Sequence, residues 1–182
     1  MTRVDALRNR ERVVEAAAAV FAEHGLDAGV DAVAVRAGVG KATVYRSFPT
    51  KEHLFAAVAV QRLRWFEEQA EAAAVRPDAH AAFGDLLEAL AEVQARDRVI
   101  GGSLTGELAE VPELVEAHAA AQVALERVMA GARAAGDLRT DATPGDVRTL
   151  FGGLCRELGE RGERDPAVWR RYARLIVAAL SS

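Results

Sequence analysis

Apolar residues recur at spacings of three and four along most of the chain, and the polar–apolar alternation that a half-buried strand requires is nowhere sustained. Val13, Val14, Ala17, Val20 and Phe21 mark one face of a first helix over 8–24, with Gly25 placed just past its end as a cap. Val30, Val33, Ala34 and Ala37 predict a short second helix over 30–37, followed by a tight turn at Gly38-Val39-Gly40 and a third helix over 41–47 that ends at Phe48-Pro49. Thr50 suits the N-cap of a fourth helix running from Lys51 to about Ala74.

After a break at Pro77-Asp78, residues Phe83, Leu86, Leu87, Leu90 and Val93 define a helix over 79–96. Gly101-Gly102 interrupts the pattern, and a short helix is expected near 103–109. Pro112 then lies in the first turn of a long helix over 113–135, closed by Gly136. Val147, Leu150, Phe151, Leu154 and Leu158 give a helix over 145–161. Pro166 opens a final one bearing Trp169, Tyr172, Ala173, Ile176, Val177 and Leu180. The expectation is an all-α fold of nine or so helices, with a three-helix N-terminal module over 1–50, a connecting helix from 51, and a larger helical domain over 51–182.

Composition supports this picture. The chain has 182 residues, 51% of them hydrophobic, and alanine, the best helix former, is prominent among these. The single cysteine, Cys155, excludes an internal disulfide and a multi-cysteine zinc site, and it reads as a small buried hydrophobe. Residues 1–15 carry charges throughout and lack the apolar stretch of a signal peptide, and no run approaches the roughly 20 apolar residues of a membrane span. A soluble, cytoplasmic protein with no membrane partner is expected.

The net charge of −4 argues against nucleic acid until its distribution is considered. Residues 1–64 hold ten Lys/Arg against seven Asp/Glu, a balance of +3, whereas the remainder holds thirteen against twenty, a balance of −7. Both lysines, Lys41 and Lys51, fall in the basic part. A basic module on an acidic body suits DNA binding at one end and a different task at the other.

Residues 30–48, VDAVAVRAGVGKATVYRSF, contain the informative spacing. A helix-turn-helix needs a small residue where its helices cross, a residue tolerant of positive φ in the turn, and an apolar residue pinning the second helix. Ala34, Gly38 and Val44 meet those needs in order, although alanine-rich helical hairpins also produce this spacing. Two other chemistries fail on spacing. Gly40-Lys41 would need Gly at 35 and Ser or Thr at 42 to form a phosphate-binding loop, and those positions are Val35 and Ala42. A carboxylate-bridged di-iron bundle needs Glu-x-x-His motifs, which the sequence lacks, and His24, His53, His80 and His118 are scattered. No metal, cofactor or catalytic residue is expected.

The stretch AGVGKATVYRSFPTKEHLF, preceded by RERVVEAAAAVFAEHGLDA, resembles the TetR/AcrR family of transcriptional regulators closely over residues 8–60. The GDLRTDATPGDV loop and LFGGL helix are similar, less specifically, to the C-terminal domain of one subgroup. The resemblance implies a homodimer that binds double-stranded palindromic operator DNA and is released by a small-molecule effector. It implies DNA contacts at Lys41, Ala42, Thr43, Tyr45, Arg46 and Lys51, with Thr43 and Lys41 as base or nearby phosphate readers and Tyr45 and Lys51 as phosphate clamps. Val44 and Phe48 are assigned to the core, and His53 to a solvent-facing position. Arg8, Arg10 and Arg12 would add unspecific phosphate attraction. Two departures from the family pattern are Gly29 and Gly40, which replace capping hydroxyls, and Ala42 stands where glycine is frequent.

The same resemblance implies a dimer interface on the last two helices, formed by Leu150, Phe151, Leu154 and Leu158 with Trp169, Tyr172, Ile176 and Leu180. An intramolecular core stripe is the other reading of those positions. A ligand pocket among the fourth to eighth helices would be lined by Trp65, Phe66, Phe83, Leu87, Leu104, Leu108, His118, Gln122 and Cys155, each of which also suits a core position. So few polar groups imply a mostly apolar effector. Repressor is the preferred reading. An activator of the same family, or a helical small-molecule-binding or enzymatic protein with a vestigial DNA module, are the alternatives.

Overall fold

Eight helices form wherever the apolar spacing of three and four predicts one within residues 3–25, 28–97 and 111–182, the residues that the computed structural model describes. They are α1 (Arg3–His24), α2 (Val30–Ala37), α3 (Lys41–Ser47), α4 (Lys51–Ala74), α5 (Ala79–Arg96), α6 (Pro112–Ala134), α7 (Pro144–Glu160) and α8 (Pro166–Leu180). The fold is all-α. The helix expected near 103–109, with Leu104 and Leu108, lies outside the described residues. α1 begins five residues earlier than its apolar stripe predicts, because Asp5, Ala6 and Leu7 extend the helix without facing the core.

The chain divides into two compact units, Met1–Arg62 with Asp97–Val115 and Leu63–Arg96 with Glu116–Ser182, each taken over its described residues. In the first unit α1 packs on α2, and both pack on α3. Their core joins Val13, Ala17, Val20 and Phe21 to Val33, Ala34 and Ala37, to Val44 and Phe48, and to Leu54, Phe55 and Val58 of α4. The Phe21 and Phe55 rings meet at 5.7 Å between centroids and 58° between planes, a tilted arrangement favoured by their quadrupoles. Asp97, almost fully buried, accepts from Arg62 Nε at 2.6 Å.

In the second unit α5 and α8 pack along one another. Glu88 pairs with Arg174, Glu92 with Arg170, and the Arg96 carbonyl accepts from Arg164 Nη1. One number rises as the other falls, so the two helices run antiparallel. Phe83, Leu87 and Ala91 of α5 and Trp169, Ala173 and Ile176 of α8 are all buried. The Trp169 indole N–H donates to the Glu163 carbonyl at 3.2 Å, so this large side chain is buried without stranding its polar atom. α7 opens on a capping box in which the Thr143 hydroxyl accepts from the Asp146 N–H and the Asp146 carboxylate accepts from the Thr143 N–H. α8 opens on Asp165, whose carboxylate accepts from the Ala167 N–H at 2.8 Å.

Candidate nucleic-acid interface

The turn between α2 and α3 is built by backbone geometry. Gly38 adopts φ 65° and ψ 36°, and the N–H groups of Gly38 and Val39 donate to the carbonyls of Val35 and Ala34, closing α2 with the left-handed cap that glycine accepts without strain. Arg12 Nη2 donates to the adjacent Ala37 carbonyl at 2.7 Å, and a Cβ at position 38 would meet that same nitrogen at 3.3 Å. Gly38→Ala therefore combines the cost of left-handed backbone, roughly 1–2 kcal/mol, with displacement of Arg12. A thermal melt should show Tm lowered by about 2–4 °C for each kcal/mol lost.

The glycine two residues later behaves in the opposite sense. Gly40 caps α3 at φ −73° and ψ 148°, ordinary extended backbone, with no side-chain cap bond and nothing within 4 Å of a Cβ built there. Gly40→Ser supplies a hydroxyl to the first turn and narrows the unfolded ensemble, so Tm should rise, reflecting about 0.5–1 kcal/mol. Gly29, at φ −77°, likewise caps α2 with no side-chain bond.

The turn seats α3, seven residues long, with Val44 facing inward and Phe48 buried just past its end, 1% and 2% exposed. At about 100° per residue, Ala42 and Arg46 point away from them, with Lys41 and Tyr45 on one flank and Thr43 on the other. Burial follows that arrangement: Lys41, Ala42, Tyr45 and Arg46 are exposed and Thr43 is half-buried. Lys51 is half-buried at the start of α4. Thr50 caps that helix, its hydroxyl accepting from the His53 N–H at 3.4 Å and lying 2.9 Å from His53 Nδ1. His53 is exposed. The Thr50 hydroxyl, with a backbone hydrogen bond, holds the Glu52 carboxyl below its ordinary range.

The cations of this unit are not equally available. Arg10 lies 4.5 Å over the Phe48 ring and Arg12 donates to the Ala37 carbonyl, so both brace the helix-turn-helix while their charges stay exposed and unpaired by these neutral partners. Arg36 donates to Glu23 at 2.6 Å, which draws that carboxyl below its usual range. Lys41 Nζ sits 2.8 Å from one Asp31 oxygen and 2.9 Å from the other, and this hydrogen bond raises its pKa. Arg46 has no partner among the described residues. Sequence reading missed Asp31 and Glu23, because each pair joins two helices and no periodicity along one helix reports it.

The other predicted residues that the structure describes lie in the second unit. Phe66, Phe83, Leu87 and Cys155 are buried, while Trp65, His118 and Gln122 are half-buried. Leu104 and Leu108 lie outside the described residues. Burial pushes the Cys155 thiol up to about 12, so it remains protonated and is no nucleophile at neutral pH. Of the eight residues expected at a dimer interface, Phe151, Leu158, Trp169, Ile176 and Leu180 are buried inside this chain's own unit. Leu150, Leu154 and Tyr172 keep accessible surface, and Leu175 of α8, which the sequence reading passed over, is 51% exposed. Among the described residues no group of His, Cys, Asp and Glu could hold a metal, and no helix is long and apolar enough to cross a membrane.

Residues 13–58, which span this helix-turn-helix, match the profile of the bacterial regulatory proteins of the tetR family. No curated protein matches the chain in sequence. Among solved structures, a TetR transcription regulatory protein from Mycobacterium vanbaalenii is 31% identical, with 99% of each chain covered and a TM-score of 0.66. A TetR transcriptional regulator from Streptomyces coelicolor is 25% identical over 94% of this chain and 98% of its own, with a TM-score of 0.68. The regulator FadR from Bacillus subtilis, solved with stearoyl-CoA, shares the fold at 17% identity and a TM-score of 0.69, covering 93% of this chain and 98% of its own.

Proposed function

Because the chain belongs to the TetR family of bacterial transcription regulators, we propose that it is a homodimeric repressor that seats α3 of each subunit in the major groove of a palindromic operator and leaves it when a small, mostly apolar effector binds. The observation that supports this most is the division of α3 into a buried side at Val44, continued by the capping Phe48, and an exposed face on which Lys41, Ala42, Tyr45 and Arg46 stand together. Arg46 and Ala42 enter deepest, with Arg46 reading a base edge. Thr43 and Lys41 reach neighbouring bases or phosphates, and Tyr45 and Lys51 fix the backbone. The functional division falls at 50/51, with α4 as connector.

One helix-turn-helix reads only a half-site, so affinity requires a second copy. Leu150 and Leu154 of α7 flank that helix's buried stripe, as Tyr172 and Leu175 flank that of α8, and Gly152 and Gly153 have open space above them. We assign these accessible apolar positions, Leu150 and Leu175 exposed and Leu154 and Tyr172 half-buried, to the subunit contact, backed by the buried Phe151, Leu158, Trp169, Ile176 and Leu180. Replacing Leu150 and Leu175 together by Glu should convert dimer to monomer in sedimentation velocity, with helical content retained.

The effector site belongs with Trp65, Phe66, Phe83, Leu87, His118, Gln122 and Cys155, a set whose few polar groups suit an apolar ligand. Such a ligand empties the operator only by favouring the conformation that does not bind DNA, by about 5 kcal/mol for a near-complete switch. Titration of a labelled duplex from upstream of the protein's own gene tests the reading. Two subunits per duplex, with affinity falling steeply as salt rises, are expected, and salt-independent or absent binding would count against it.

A further inference from the structure

We propose that Asp31 is a specificity-determining residue, holding Lys41 against its carboxylate so that this ammonium adds little to the attraction of DNA of arbitrary sequence. The inference rests on the DNA-binding reading above. Sequence-independent affinity comes from cations that neutralise phosphates and release their counterions. Lys41, at the head of α3, is placed to be one, yet its Nζ lies within 2.9 Å of both Asp31 oxygens. Both side chains are more than half exposed, so the pair is exchangeable and does not hold the fold together. A phosphate reaching Lys41 must displace one anion to install another, and it meets the Asp31 charge while doing so.

The surroundings act in the same direction. Gly29 and Gly40 bring no hydroxyl to the two helix starts, and Arg36 is held by Glu23. Among the described residues of α2 and α3, Arg46 is the cation without a carboxylate partner, and it lies on the outward face of α3 where base edges are read. The cations of α2 and α3 thus contribute little generic phosphate attraction, and the free charge of these two helices lies where sequence is discriminated. Asp31 would lower binding to wrong sites more than to the right one, where base contacts offset the exchange.

The test compares the dimer with its Asp31→Asn variant on two fluorescent duplexes across a salt series. One duplex has a scrambled sequence, and the other is enriched from a randomised library by the unaltered protein. Asp31→Asn should bind the scrambled duplex about five- to tenfold tighter, with a salt slope steeper by about 0.9 per subunit. Its gain on the enriched duplex should be smaller, so the specificity ratio falls. Adding Lys41→Gln should abolish the gain. An unchanged affinity and slope on the scrambled duplex, an equal gain on both duplexes, or a gain that survives Lys41→Gln would each overturn the proposal. If Asp31→Asn loses helical content, Asp31→Ser takes its place, since serine retains a polar side chain in the first turn of α2. Absence of any salt-dependent binding by the unaltered protein would instead sink the DNA-binding reading itself, and this role with it.

Discussion

Arg46→Ala is expected to weaken binding to a selected operator duplex by about 100-fold, because the bidentate base contact proposed for Arg46 is worth about 1–3 kcal/mol and the proposed dimer makes it twice. The same change should leave the melting temperature where it is. Arg46 is exposed and has no partner among the described residues, and substitutions at such sites shift stability by no more than about 0.5 kcal/mol. The salt series separates two roles for the guanidinium. A base reader loses discrimination at one position of each half-site with little change in slope. A phosphate contact loses affinity on every sequence and flattens the slope by about 0.9 per subunit. Binding within threefold of the unaltered protein on every duplex would remove Arg46 from the interface.

Trp169→Ala should produce the largest loss of stability. The side chain is 1% exposed and lies where α5 and α8 run antiparallel, and Trp-to-Ala changes in cores cost about 3–5 kcal/mol, partly through the cavity they leave. For a chain of this length that lowers Tm by roughly 10 °C. Trp169→Phe should recover most of the loss, leaving a smaller deficit from the indole bond to the Glu163 carbonyl. Because Trp169 is buried in the chain's own unit, its loss should appear in unfolding of the subunit. Leu150→Glu with Leu175→Glu acts from outside, and should change assembly far more than subunit stability.

The contrast between these residues explains what the sequence could report. Apolar spacing finds the face a helix buries, and it located α2 and α3 through Val30, Val33, Ala34, Ala37 and Val44, with Gly38 in the positive-φ turn between them. It is silent where a helix continues without burying anything, so the first turn of α1, with Asp5, Ala6 and Leu7 all exposed, was not visible. It also cannot say which chain covers an apolar stripe. Phe151, Leu158 and Trp169 share the apolar spacing of their helices and are buried within the single chain, whereas Leu175 of α8 is exposed. Charge pairing is hidden for a different reason. The Lys41–Asp31 and Arg12–Ala37 contacts join segments ten and twenty-five residues apart whose proximity exists only once α1, α2 and α3 have packed. For the same reason the sequence does not report that Arg10 and Arg12, besides carrying charge, contact Phe48 and the Ala37 carbonyl.

Selection from a randomised duplex library, followed by sequencing, tests most directly whether the outward face of α3 reads DNA. The unaltered protein should enrich an inverted repeat with half-sites about one helical turn apart or a multiple of that, and Arg46→Ala should lose the preference at one symmetric pair of positions. Failure of the unaltered protein to enrich any repeat, or an identical repeat enriched by both proteins, would contradict the account.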